Sequence, residues 1–169
     1  MVTLYLVRHG ETVDNVSRIM QGQTQGRLTD EGRRQAHDVG GRLAREHIDV
    51  YMSSDLWRAV ETCRIIIGGG REAAIVTTPL LRERDWGGFT GRYIPDLKDA
   101  VWPDDVETLE AMMGRAAAFI ALVRRDYAGK RVLAVGHGII NKAIQAVILG
   151  KSMQEIPPMK NAEVRTYRV

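Results

Sequence analysis

Cysteine is almost missing from this 169-residue sequence: Cys63 stands alone. That excludes an intramolecular disulfide and a four-cysteine zinc site, and it fits a reducing, cytoplasmic setting. No stretch approaches the roughly 18 apolar residues of a membrane span. The apolar N-terminal run stops at Arg8, too short for a signal peptide. Charge of one sign is not in excess either. Against 21 acidic residues stand 24 basic ones, a net charge of +3 with no block of like charges, so nothing favours nucleic acid as a partner. Only 5 of the basic residues are lysine, an arginine bias ascribed to composition rather than to anion recognition. Also missing are a Walker-type glycine loop with lysine, a His/Asp cluster at metal-ligand spacing, repeats and linkers. The sequence therefore predicts a single domain over 1–169, with no metal and no cofactor.

What the sequence does contain is a series of short apolar runs alternating with helical stripes. Residues 2–7 are apolar and partly β-branched, and predict a buried strand. Residues 8–28 read as a polar loop. Thr29 then caps a helix over about 30–46, with Asp30 and Glu31 in its first turn. A second strand is predicted at 49–52. Leu56, Ala59, Val60, Cys63 and Ile67 form a helical stripe, which Gly68-Gly69-Gly70 ends. A third strand is predicted at 73–77, and Pro79 opens a long irregular stretch. A long amphipathic helix spans Leu109 to Tyr127, a fourth strand 131–135, a tight turn 136–138, an apolar helix 139–149 and a last strand 163–169. This order predicts an α/β fold: a three-layer sandwich, with a mostly parallel central sheet and helices on both faces.

Two histidines, His9 and His137, directly follow predicted strands and should emerge on one edge of the sheet. Ligands bind at that edge in open α/β sheets. Arg8 beside His9 supplies a fixed cationic fork for phosphate. Histidine supplies an uncharged nitrogen that can attack phosphorus. Phosphoryl chemistry with a histidine nucleophile is the expectation.

Arg8-His9-Gly10-Glu11-Thr12 with Asn15 resembles the signature of the histidine phosphatase superfamily, also called phosphoglycerate mutase-like. Further blocks follow in the family's order. They are Gln21-Gly22, Leu28-Thr29 and Glu31-Gly32-Arg33; Ser53-Ser54-Asp55-Leu56 with Arg58-Ala59 and Thr62; Leu81-Arg82-Glu83 with Trp86-Gly87 and Gly91; and Val135-Gly136-His137-Gly138. Gly26-Arg27 departs from the pattern, since a small residue and proline are more usual before Leu28-Thr29. Arg27 is read as a surface charge rather than a substrate contact.

The resemblance implies the roles. His9 is the nucleophile, its other ring nitrogen bonded to a backbone carbonyl. Arg8 and Arg58 hold the phosphoryl oxygens by charge-assisted bonds, and His137 is a third donor. Asn15, Gln21, Gly22 and Gly138 complete the phosphate site, with helix amides after Gly138 favouring an anion. Glu83 is the general acid, with Glu11 read as structural and Asp85, Asp104 and Asp105 as solvated loop acids. The expected activity is that of a histidine acid phosphatase-type phosphoric monoester hydrolase. It is metal-independent and cytoplasmic, acts on a small phosphorylated metabolite and releases inorganic phosphate.

A phosphotransferase of the mutase type is the alternative. It is less favoured because only a short segment, 92–108, separates Gly91 from the long helix and the chain ends in its last strand, leaving little for a lid. A catalytically silent phosphate-binding module is a third reading, against which His9 and Glu83 are both present. Tyr93-Ile94 and Val101-Trp102-Pro103 could form a specificity wall, a homodimer patch or ordinary packing.

Overall fold

Apolar runs too short for helices become strands in the computed structural model, which describes residues 1–70 and 73–169. They are β1 (Thr3–Arg8), β2 (Val50–Ser54), β3 (Ile75–Thr78), β4 (Arg131–Gly136) and β5 (Val164–Arg168). The sheet order is β3-β2-β4-β1-β5. All pairs are parallel except β1 with β5, which is antiparallel. The helices are α1 (Val13–Ser17), α2 (Asp30–Arg42), α3 (Trp57–Ile67), α4 (Leu109–Asp126) and α5 (Gly138–Leu149).

Alternation along each strand divides the core in two. Leu4, Leu6, Val132 and Ala134 face the cluster containing Phe119, Ile120 and Ile144 of α4 and α5. Tyr5, Val7, Leu133 and Val135 face Ala36 and Val39 of α2 and Ala59 and Cys63 of α3. Both faces are thus covered, which is why the central strands read as unbroken hydrophobic runs. Burial among these side chains pushes the Cys63 thiol up to about 12, so it carries no thiolate at neutral pH. Among the described residues no helix is long and apolar enough to cross a membrane.

The expected boundaries need correction in several places. The stretch 8–28, read as a loop, contains α1, closed by a capping box between Thr12 and Asn15 and ended by Arg18 at φ 55°. α2 stops at Arg42 rather than near residue 46, just after the adjacent Gly40 and Gly41 weaken its last turn. β2 runs on to Ser54, and β3 occupies 75–78 rather than 73–77. The long irregular stretch carries three 3-10 turns, at Pro79–Leu81, Gly87–Phe89 and Ile94–Leu97. Residues 136–138 are not a tight turn: Gly136 ends β4, His137 is extended, and Gly138 opens α5.

One close backbone approach fixes the loop after β1. A Cβ on Gly32 would lie 2.1 Å from the Glu11 carbonyl oxygen, and one on Gly10 would lie 2.4 Å from the Gly32 carbonyl oxygen. Only glycines let α2 begin this close to the segment that follows His9.

Candidate active site

The C-terminal ends of the parallel strands put the chemistry at one edge. His9 follows β1, His137 follows the neighbouring β4, Arg58 lies in the first turn of α3 after β2, and Glu83 follows the 3-10 turn after β3. Their meeting point is a cavity of about 310 Å³ lined by Arg8, His9, Asn15, Arg58, Glu83 and Gly138. Gln21 and Gly22 line it as well. His137 is not in the lining. It is fully buried behind His9, with the two rings 5.1 Å apart between centroids. A larger depression of about 620 Å³, running along α2 past His37 and Asp38 to Asn161, contains none of these groups.

His9 is 2% exposed. Its Nδ1 lies 2.7 Å from the Gly10 carbonyl oxygen. A carbonyl only accepts, so Nδ1 holds the proton and Nε2 keeps the lone pair. Burial, and next the Arg58 and Arg8 cations, push the His9 pKa well below the usual imidazole value, against the smaller effect of the Gly10 bond. The same causes in the same direction, burial first and then Arg58, act on His137. Both rings are therefore neutral at neutral pH. The backbone around His9 is tied down from the other side of the chain: Ala162 N–H and the Asn161 amide donate to its carbonyl.

Arg58 is 1% exposed. It donates to the carbonyls of Thr24 and Gly22, the latter at 2.8 Å. α3 has no side-chain cap of its own. Gln25 supplies one instead, its side chain accepting from Trp57 N–H and its carbonyl from Arg58 N–H. Gly26, at φ +72°, lets this loop lie against the guanidinium, since a Cβ there would be 2.9 Å from Arg58 Cδ. Burial pulls the Arg58 pKa down to about 10, leaving a cation at neutral pH. Arg8 donates to the Met159 carbonyl at 2.6 Å, and burial lowers its pKa too, with Glu83 and Glu163 opposing. The chain beside Met159 is held in turn by Arg165, which donates to the carbonyls of Pro157 and Pro158.

Arg8 Nε, Arg58 Nε and both His137 ring nitrogens have no hydrogen-bond partner although they are buried. Each such group costs about 1–3 kcal/mol if left unpaired. Four of the seven unpaired buried side-chain atoms among the described residues thus gather here, on three positively charged or donor-capable groups. An anion is the ligand that would satisfy the two guanidinium Nε–H groups and the single N–H that a neutral His137 ring carries.

Glu83 corrects one expectation. Two N–H groups in the first turn of α5 are not left for a substrate. Ile139 N–H, at 3.1 Å, and Ile140 N–H, at 3.2 Å, donate to the Glu83 carboxylate, which also accepts from Arg84 N–H. The helix N-terminus positions the carboxylate. Asn15 accepts from Thr12 N–H in the α1 cap and from the Asn161 amide while facing the cavity. Gln21 accepts from the Thr12 hydroxyl. Glu11 lies outside the lining and accepts from the Thr29 hydroxyl. Asp85 and Asp105 are exposed and cap Gly87 N–H and Gly88 N–H. Arg27 is exposed and also outside the lining.

Apolar groups form the rest of the wall. Ile19, Met20, Trp86 and Ile94 line the cavity. Trp102 packs on Trp86 and Phe89 at 5.6 and 5.5 Å, and Arg84 stacks over both tryptophans. Val101, 93% exposed, takes no part in the wall. Pro158, Met159 and Lys142 also line the cavity, and none of them was singled out from the sequence. Lys142 has no carboxylate within 4.0 Å among the described residues. No group of three or more histidine, cysteine or acidic residues among them could hold a metal ion.

Comparison with known proteins places the chain in a family. The family model of the histidine phosphatase superfamily, branch 1, matches residues 4–169. A relative from Enterobacter sp. named "Probable phosphoglycerate mutase GpmB" is 34% identical over 164 residues, covering 89% of this chain and 76% of that protein. Among solved structures, Bacillus stearothermophilus YhfR superposes with a TM-score of 0.87 at 32% identity, over 100% of this chain and 92% of that one. The mycobacterial glucosyl-3-phosphoglycerate phosphatase Rv2419c does so with a TM-score of 0.83 at 26% identity, over 97% and 91%. With its family signature, its parallel sheet and the paired histidines at the sheet edge, the chain belongs to the histidine phosphatase superfamily.

Proposed function

We propose that this chain is a metal-independent phosphomonoesterase, a histidine acid phosphatase-type hydrolase that works through a phosphohistidine on a small phosphorylated metabolite. The observation that carries the reading is the set of unpaired buried donors on Arg8, Arg58 and His137 beside a neutral, lone-pair-bearing His9 Nε2. A phosphoryl group is the anion that would use both features. His9 Nε2 attacks phosphorus as the bond to the leaving oxygen breaks, and Glu83 gives that oxygen its proton. The His9 Nδ1–H bond to Gly10 takes up the positive charge that develops on the ring. Glu83 then draws a proton from water, which attacks the phosphohistidine and releases inorganic phosphate and neutral His9. Two guanidinium groups supply the charge that a metal provides in other phosphatases.

Hydrolysis needs water at the phosphohistidine. The cavity wall includes Ile94, which is 44% exposed, so the site reaches the surface. A second reading, phosphoryl transfer between hydroxyls, draws support from the 34% identical relatives with mutase names and from Lys142, a further cation in the lining. Turnover of p-nitrophenyl phosphate in excess chelator, with acid-labile phosphate trapped on histidine by rapid quench, is the expected result. Loss of activity on chelation, or no trapped phosphate under several quench conditions, would sink it. Phosphoglycerate isomerisation faster than hydrolysis would replace it with the mutase reading.

Arg58→Ala removes a charged donor to the phosphoryl oxygens and the anchor of the Gly22 and Thr24 carbonyls. Turnover should fall by roughly 10²–10³, the usual effect of losing one such transition-state donor. Steady-state kinetics check this; a wild-type rate would remove Arg58 from the site.

A further inference from the structure

Glu83 sits in a segment, residues 82–86, with neither helix nor strand to hold it. Its carboxylate is fixed by the N-terminus of α5. The backbone beneath it is fixed by a residue that never reaches the cavity. Arg115, on α4, spends all five of its N–H donors. Nε and Nη2 clasp the Glu107 carboxylate at 2.7 and 2.9 Å. Nη1 donates to the carbonyls of Leu80 and Arg82 at 3.1 and 2.9 Å. Nη2 also reaches the Glu83 carbonyl, at 3.4 Å.

Glu107 closes the grip from the far side. Its carboxylate accepts from Asp85 N–H, its N–H donates to the Asp85 carbonyl, and its own carbonyl accepts from Arg84 Nε. The loop is thereby clamped on both sides of Glu83. The pair is mostly buried, with side chains 21% and 14% exposed. α4 and α5 share one core through Met112, Ala116, Ile140 and Ile144, so the two anchors of the acid, one under its backbone and one at its carboxylate, are rigidly related.

We infer that Arg115, locked by Glu107, is a positioning residue for the proton donor: it sets the reach of Glu83 to the leaving-group oxygen without touching the substrate. This rests on the reading of Glu83 as the acid. Poor alignment of the acid harms esters whose leaving group needs a proton and spares those whose leaving group does not. A structural role alone would slow both equally.

The test is kcat/KM for glycerol phosphate, an alkyl ester, and p-nitrophenyl phosphate, an aryl ester, in Arg115→Gln, Arg115→Lys and Glu107→Gln, with Glu83→Gln as reference. Arg115→Gln should lower the alkyl value by about 10- to 100-fold, the scale of a small misplacement of a reacting group. The aryl value should fall less than about threefold, because that leaving group needs little acid assistance. Arg115→Lys should fall between, since an ammonium lacks the planar fork that spans Glu107 and the three carbonyls. If Arg115→Gln does not fold, Arg115→Lys and Glu107→Gln carry the same comparison. Equal losses on both esters in these variants, with Glu83→Gln selective, would overturn the positioning role and leave the acid in place. A non-selective Glu83→Gln would overturn both.

Discussion

Alanine at position 9 should lower turnover of every phosphomonoester by about 10⁴–10⁶-fold, the scale seen when a covalent nucleophile is deleted. No other group can stand in. The second imidazole, His137, is wholly buried and outside the cavity lining, and the thiol of Cys63 lies in the α2–α3 core. Trapped phosphohistidine should vanish with the activity. A thermal melt alongside the kinetics checks that the variant is folded. Retention of more than a small fraction of the rate would mean that another group attacks phosphorus.

The same residue sets a pH response. Burial, then Arg58 and Arg8, hold the His9 pKa well below its ordinary value near 6.5. Protonation, which removes the attacking lone pair, therefore occurs only below the usual imidazole range, and the acid limb of kcat/KM for the free enzyme should lie there. Stability follows the matching sign. Between the folded and unfolded pKa values the unfolded chain binds the proton and the folded one does not, so stability falls as pH drops below about 6.5.

Glu83→Gln should show the second large effect, and a selective one. The glutamine amide can still accept from Ile139 and Ile140 N–H, so the geometry at the α5 N-terminus survives while the transferable proton is lost. General acid catalysis is worth about 10²–10⁴-fold, and an alkyl phosphate should lose that much. An aryl phosphate with a stable leaving anion should lose far less in its first step. Kinetics with both esters decide the matter: equal slowing would mean that Glu83 does not give the proton.

Sequence reading and structure agree most closely where regular periodicity carried the information. The apolar runs at β1 and β4 and the stripe from Ala59 to Cys63 located the sheet and α3. The rule that strand ends face the ligand put His9 and His137 on one edge. Where contacts cross between irregular segments, periodicity has nothing to say. Gln25 capping α3, and Met159 and Asn161 closing around the residues after β1, leave no spacing signal. Arg115 left a faint one, an arginine three residues after Met112 beside the buried stripe of α4. The binding role first given to the amides after Gly138 was reasonable in outline, since an acceptor group does sit there. That group is the side chain of Glu83, and only the three-dimensional path of the 82–86 segment could reveal it.

The loops that shape the pocket are fastened mainly by guanidinium groups gripping main-chain oxygens: Arg58 on residues 22 and 24, Arg8 on 159, Arg165 on 157 and 158, Arg115 on 80, 82 and 83. Peptide oxygens neither gain nor lose protons across the working range of an enzyme. Arginine surrenders its charge only in alkali, even Arg58, which burial brings down to about 10. From mild acid to mild alkali these guanidinium-to-carbonyl fastenings are therefore nearly blind to acidity. Rate changes over that interval report the reacting groups and the substrate, not loops that have come loose.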